Sequence, residues 1–478
     1  MTVERGSKAL AIIWFRVDLR IRDNAALAAA ASSGAAIIPL FIDDDGLGSR
    51  RKLGGASKWW RGRSLAALDA ALRDIGSRLI IRQGIPEAVF DSLIGTSGVR
   101  NVYFNLCRDR MEEDVATEGW LRTRGISVER FDANYLHDPV HIRTGTGGGF
   151  KVFTPFWNRL RGDYTPATNQ PTPRDLRAPQ RWPDSLPIDA LQVTDRWTRS
   201  LAQAWIPGEA AARKRLTKVA NNLAAHYQSE RDRPDRDGTS RLSPHLAWGE
   251  ISVDEIWRRL DRKLGEKALP LLRQLGWRDF NMHLMQEFPD LSWRPMQAKF
   301  AAFPAKDDDS SLRAWTQGKT GYPIVDAGMR QLWQTGWMHN RVRMITASFL
   351  VKDLLIPWQR GEQWFWDTLV DADPAQNAGN WQWVAGCGAD AAPFFRVFNP
   401  VLQGEKFDPD GRYVQQWLPE LARLSALAVH RPWTASAAQL SKAGVILGKT
   451  YPHPLVDHGQ TRRRALKAYE QMGRSRRP

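Results

Sequence analysis

The hydrophobic pattern changes period once along the chain, and that change bounds the fold. Over the first 135 residues, short apolar runs alternate with helical stretches. ALAIIWF (9–15), AAIIPLFI (35–42), SRLIIRQ (77–83), RNVYFN (100–105) and ISVERFD (126–132) have the length and composition of strands. Between them, Asn24–Ser32 and Lys58–Ile75 read as helices, the second with Trp59, Leu65, Leu68 and Leu72 at helical spacing. Strands separated by helices predict an α/β fold with a doubly wound parallel sheet, because a parallel neighbour needs a crossover long enough to hold a helix. From about residue 205 the period is helical, in Glu209–Glu230, Val253–Leu264, Leu269–Phe288 and Ile324–Val351. A shorter stretch, Val414–Leu424, should bend near Pro419. The expected organisation is an α/β domain over 1–140, a connection over 141–204, and a larger all-α domain over 205–478. Gly145, Gly147, Gly148, Gly149 and the prolines from Pro166 to Pro187 mark the connection. The run TGTGGG lacks the Lys-Ser/Thr of a phosphate loop and the spacing of a dinucleotide fingerprint.

Composition narrows the function classes. No apolar run approaches ~18 residues, so no membrane span is expected. The opening MTVERGSKALAIIWF lacks the order of a signal peptide. Cys107 and Cys387 form neither a disulfide framework nor a zinc pattern, and a cytoplasmic location is expected. A net charge of +16 adds self-repulsion that folding does not require, which points to a polyanionic partner. The 22 tryptophans extend that reading, since indole rings stack on unstacked bases and a row of them can pass electrons. The basic tail (Arg462 to Arg464, then Arg474–Arg477) reads as a solvated end.

Four segments concentrate the chemistry. DGTSRLSPHLAWGE (237–250) reads as a loop entering a helix, with Thr239, Ser240 and Ser243 as caps and free N–H groups as an anion site. RQLGWRDFNMHL (273–284) reads as a helix that places Gln274, Trp277, Arg278 and Asn281 on one face. GWMHNRVRM (336–344) reads as another helix, with Asn340 and Arg343 three apart and Trp337 and Arg341 four apart; His339 reads as a structural histidine. DADPAQNAGNWQW (371–383) reads as a loop, and no carboxylates beyond Asp371 and Asp373 follow at cation-binding spacing, so no metal is expected.

The blocks WTQGKTGYPIVDAGMRQLWQTGWMHNRVRMITA (315–347) and NAGNWQWVAGCGADAAPFFRVFNPVLQGEKFD (377–408) resemble the DNA photolyases and cryptochromes, nearest the photolyases that repair cyclobutane pyrimidine dimers. The resemblance spans roughly 10–135 and 220–425. It implies FAD in the helical domain. Tyr227, Arg231 and Thr239-Ser240-Arg241-Leu242-Ser243 match the site for its pyrophosphate and adenosine. Asp371 and Asp373 match residues at the ribityl chain and ring edge, and Asn377 the residue facing flavin N5. Arg278 and Arg343 match flavin contacts, Arg343 paired with Asp371. Trp277 and Trp383 match the two walls that hold a flipped dimer. Gln274, Arg231, Asn281, Met338, Asn340, Arg341, Arg396, Gln403 and Lys406 match positions at the DNA. Trp381 and Trp358 match the first two members of an electron relay. The third member is usually a Trp after Phe-Pro, and this chain has Phe303-Pro304-Ala305. A detour through Trp337 and Trp333, four apart, is one hypothesis; plain packing of both is the other.

The implied activity is light-driven repair of cyclobutane dimers by electron transfer from photoexcited reduced FAD. Dimer photolyases usually carry Glu at position 274, so Gln274 favours the (6-4) photolyases, while Met338-His339-Asn340 favours dimers. Asn377 favours repair over the signalling of a cryptochrome, as does the lack of a long low-complexity extension. WFRVDLRIRDN (14–24) and YFNLCRDRMEED (103–114) resemble the antenna region, which implies a folate, a deazaflavin, a second flavin or no chromophore there. The expected partner is UV-damaged DNA, bound by a monomer.

Overall fold

The computed structural model describes residues 10–47, 51–138, 141–390 and 395–474, with side chains up to Met472. The first residues of the chain, the AAPF part of the second block and the terminal Arg474–Arg477 run, apart from the backbone of Arg474, lie outside the described residues.

The alternating segments form five strands: β1 Leu10–Phe15, β2 Ala36–Asp43, β3 Ile80–Gln83, β4 Val99–Asn105 and β5 Ser127–Phe131. They pair in parallel in the order β3-β2-β1-β4-β5. Every residue of β2 is buried, as a parallel strand covered on both faces requires. Ile12, Trp14, Leu40, Phe90, Val102 and Phe104 fill the space between sheet and helices. The crossover helices start on local signals. Asn24 caps Ala25–Ser32 by accepting the Leu27 N–H at 3.0 Å, and Pro86 opens Pro86–Ser97.

The chain divides into two compact units. The first holds 1–142, 159–224 and 240–279; the second holds 143–158, 225–239 and 280–478. In the second unit no extended strand forms among the described residues, and helices surround a core that includes Trp315, Phe349, Leu350, Phe365, Trp381 and Tyr413. No described helix is long and apolar enough to cross a membrane, and no described cluster of side chains could hold a metal ion.

Several local readings change. The expected connection contains a helix, Phe153–Asp163, whose Phe153 and Phe156 pack on Phe280 with ring centroids 5.7 and 5.2 Å apart. Of its glycines Gly149 is closely packed, since a Cβ there would fall 2.5 Å from the Glu287 carboxylate, whereas Gly145 and Gly147 have open space around them. The Glu209–Glu230 stretch keeps its first helix only to Lys218, then loosens into a π turn and short turns. The Ile324–Val351 stretch breaks. Gly336, at φ +64, ends Pro323–Thr335 in the left-handed conformation that favours glycine, and a new helix starts at Asn340. Trp337, Met338 and His339 therefore lie in a turn, and Trp333 and Trp337 share no helix face. Val253–Leu264 forms with the bounds read from sequence, because Ser252 caps its start and Gly265 follows its end.

Candidate flavin and lesion site

DADPAQNAGNWQW is a helix from Pro374 to Ala385, not a loop, because Asp373 caps it by accepting the Gln376 N–H at 2.9 Å and Pro374 opens it. This places Asn377 and Trp381 one turn apart on one face. Asn377 gives both amide protons to Glu362, one to its carbonyl at 3.0 Å and one to its carboxyl at 2.8 Å. An amide so committed can offer only its oxygen to anything else. Asn281 lies against the same helix: its amide donates to Gln376 at 2.8 Å, and a Cβ on Gly379 would meet it at 2.6 Å. Glu362 escaped the sequence reading. Its one signal was a carboxyl on the buried face of Trp358–Thr368, beside Trp358, Gly361, Phe365 and Trp366.

Arg343 pairs with Asp371 at 2.8 Å, as expected, and also donates to the Met338 carbonyl at 2.8 Å. His339 caps the Asn340–Ser348 helix by accepting the Arg341 N–H, which fits its structural reading. Met338 is fully buried with its sulfur on the Thr346 hydroxyl, so it presents no surface to DNA. Arg341 is held by Asp232 at 2.9 Å and lies over the Phe407 ring, which Lys406 also approaches. Arg231 stacks on Tyr227, and burial raises the Tyr227 pKa. Trp383 is half-buried and fixed by its Nε1–H on the Asp390 carbonyl at 3.1 Å. Asn340, Arg396 and Lys406 are exposed and Gln403 is half-buried. The Arg396 carbonyl takes the ammonium of buried Lys352, whose pKa falls to about 7 through burial and the Arg396 charge. Lys352 gave no sequence signal.

Trp381 is buried against Phe365, with ring centroids 5.0 Å apart, and its indole N–H finds no acceptor among the described residues. Trp333 stacks on Trp364 at 5.9 Å, and it shares no helix face with Trp337. Trp337 instead sits under the Arg343 guanidinium and edge-on to His339.

In the first unit, Gln274, Trp277 and Arg278 share the Leu269–Glu287 helix. Gln274 donates back to the Pro270 carbonyl at 3.1 Å, and Trp277 is half-buried. The Arg278 guanidinium binds the carbonyls of Asn134 and Leu246 and stacks on Tyr135, a clamp on backbone rather than a bare cation. Ser240 and Ser243 do not cap a helix as expected. Leu242 stands at the cap of a five-residue helix, Ser243–Ala247, and no side chain serves it. Arg241 adopts φ +50, a costly conformation for a residue with a Cβ, and Arg215 anchors the turn by donating to the Ser240 carbonyl at 2.6 Å. In the stretch Tyr103–Asp114, Asp114 takes both Arg16 and the Cys107 N–H, and Arg108 pairs with Asp132 and Asp138.

Asp279 is fully buried. One of its oxygens accepts the N–H groups of Leu136 and His137 at 2.9 and 3.2 Å. Burial pushes its pKa up to about 7 despite the nearby Arg278 charge. A folded pKa above the unfolded value near ~3.9 gives stability that is complete below the unfolded value and lost as pH rises through about 7. Asp279→Asn should therefore flatten the fall in unfolding free energy between pH 5 and pH 8, by up to roughly 3 kcal/mol; equal slopes would count against the assignment.

The donor set of the second unit fits a flavin. It offers a directed amide oxygen (Asn377), a carboxylate held by a cation (Asp371 with Arg343), and a buried indole one turn from the amide. Residues 271–471 match the family described as the FAD binding domain of DNA photolyase, and residues 11–176 match DNA photolyase. The chain is 48% identical to a deoxyribodipyrimidine photo-lyase of Agrobacterium fabrum, over 96% of this chain and 97% of that protein. It is 37% identical to cryptochrome-1 of Arabidopsis thaliana, over 98% of this chain and 71% of that one. Its fold superposes on a crystal structure of a bacterial class III photolyase from Agrobacterium tumefaciens with a TM-score of 0.95 and 46% identity, covering 99% of this chain and all of that one. A parallel-sheet unit, a helical FAD-binding region and relatives that match along nearly the whole sequence place this chain in the DNA photolyase and cryptochrome family.

Proposed function

We propose that the protein repairs cyclobutane pyrimidine dimers in DNA, driven by light absorbed at a bound, reduced FAD. The near full-length identity to a deoxyribodipyrimidine photo-lyase supports the reaction. The observation that carries the site is the Asn377 amide, whose nitrogen is held by Glu362 so that only its oxygen can serve a ligand. FAD, when bound, supplies a photoexcitable electron donor. The protein supplies placement and electrostatics. Asn377 accepts a proton-bearing edge of the cofactor, and the Arg343–Asp371 pair positions its polar side. Asp373, Tyr227 and Thr239 hold the rest. Trp383 offers a face on which an extruded base stacks; extrusion costs a few kcal/mol, less for a damaged pair. Arg231, Arg341, Arg396, Gln403 and Lys406 face phosphates or bases. The reaction takes place in the cytoplasm on UV-damaged DNA.

Gln274 favours a second reading, (6-4) repair. Light-dependent restoration of duplexes carrying either lesion separates the two. Repair of cyclobutane dimers alone is expected; repair of (6-4) lesions alone would replace the reading, and repair of neither would end both.

Arg341 tests the DNA face. Arg341→Ala should lower the slope of log affinity against log salt by about one phosphate contact. Because Asp232 already holds Arg341, the Arg341→Ala/Asp232→Ala pair should show the same slope as the single change. An unaltered slope in both would remove Arg341 from the interface.

A further inference from the structure

An electron that enters a buried flavin from solution must cross protein, and in the second unit two buried tryptophans meet one helix face while a third, exposed one is tied to their chain neighbours. Trp381 is buried, and the edge of its six-membered ring presses on Gly361, where no Cβ would fit. Gly361 lies three residues beyond Trp358 on the same helix, so Trp358 and the Trp381 contact share a face. Both rings are buried, and the Trp381 N–H has no acceptor among the described residues. Once oxidised, Trp381 cannot release its proton, so the charge must move on or return. A path that ends there leads nowhere; it needs an oxidisable ring that meets water.

Trp293 is such a ring. It is 51% exposed. Its segment is pinned to the chain neighbours of both buried tryptophans. Gln382, next to Trp381 and fully buried, accepts the Met296 N–H at 2.9 Å and donates to the carbonyls of Leu291 at 2.6 Å and Arg294 at 2.7 Å. Gln359, next to Trp358, donates to the Trp293 carbonyl itself at 3.2 Å. Gln297 adds two bonds, to the Cys387 and Gly388 carbonyls. A buried amide is tolerated only when its polar atoms are satisfied, and this one is satisfied entirely by the backbone that carries Trp293. Ala305 offers no ring. Trp333, also exposed, stacks on Trp364, which lies three residues beyond Gly361 on the same helix, so Trp333 is the rival end of the path and its substitution is the control.

We propose that Trp293 is the surface end of the electron path that reduces the flavin, a reading that rests on the flavin site above. Trp381 gives one electron to the photoexcited oxidised flavin. Trp358 refills Trp381, and Trp293 refills Trp358. The Trp293 indole N–H bond then breaks, its proton passes to water, and a neutral radical remains. A dissolved thiol returns the electron and the proton to Trp293. The net change is one electron from thiol to flavin.

Transient absorption of the FAD-loaded protein tests this with Trp293→Phe, Trp293→Tyr, Trp333→Phe and Tyr469→Phe, the last removing the hydroxyl of a half-buried oxidisable ring that stacks on Phe395 at 4.7 Å. Trp293→Phe should lose the long-lived neutral tryptophan radical and the blue-light reduction of oxidised flavin by thiol. Trp293→Tyr should restore a long-lived radical with a tyrosyl spectrum. Mass spectrometry after illumination in air should find oxidation at Trp293. Retention of the radical in Trp293→Phe, or its loss in Trp333→Phe or Tyr469→Phe instead, would overturn the proposal. Dimer repair by chemically reduced Trp293→Phe should equal that of the parent. Photoreduction through Trp293 without any dimer repair would support this path and contradict the repair reading alone.

Discussion

Asn377→Asp should disable the flavin site, and the cause lies in the amide's partner. The new carboxyl oxygen would stand where the amide nitrogen now lies, 2.8 Å from the Glu362 carboxyl and 3.0 Å from the Glu362 carbonyl, both acceptors. Two buried carboxylates at that distance repel strongly, and a shared proton relieves the repulsion only as the pH falls. Each former hydrogen bond becomes a repulsion, and an unpaired buried acceptor costs about 1–3 kcal/mol. The expected result is FAD affinity weakened by about tenfold or more at pH 8, with recovery toward pH 5 as the shared proton binds. Glu362→Gln in the same protein restores a donor and should restore most of the affinity; the coupling between the two changes is the diagnostic quantity. Equal affinity at both pH values, with no gain from Glu362→Gln, would show that the Asn377 orientation does not matter.

The second large effect is expected at Trp383. Its ring plane is fixed by the indole N–H on the Asp390 carbonyl, which gives a base a stationary surface to stack on. Stacking on an aromatic side chain is worth roughly 1–3 kcal/mol per base, so Trp383→Ala should weaken binding of dimer-containing DNA by about five- to 150-fold. Undamaged duplex, which stacks on nothing there, should bind as before. Trp383→Phe keeps a ring but loses the tether, and should fall between the two. Unchanged selectivity for damaged DNA in the alanine variant would remove Trp383 from the lesion pocket.

Features written in local residue order were legible in the sequence. The five strands announced themselves by apolar runs, and Val253–Leu264 by a capping serine and a closing glycine. The Arg343–Asp371 pair came through the family resemblance. What failed depended on one residue overriding a period, or on distance. Gly336 splits a run that is helical by composition, which moves Trp337 off the face of Trp333. Asp373 and Pro374 turn a loop-like string into a helix. The apparent connection hides Phe153 and Phe156, whose packing partner Phe280 is more than a hundred residues away. Glu362, Asp232 and Gln382 act through contacts between separate elements, and no spacing rule in the sequence joins Asn377 to Glu362 or Arg341 to Asp232.

Illumination of an oligonucleotide carrying a single thymine dimer, with the protein first stripped of FAD and then reloaded with the reduced cofactor, tests the central claim most directly. Dimers should disappear only in blue light and only with the reloaded protein. Dimers that persist under light with reduced FAD bound, or that vanish equally in the dark, would contradict it.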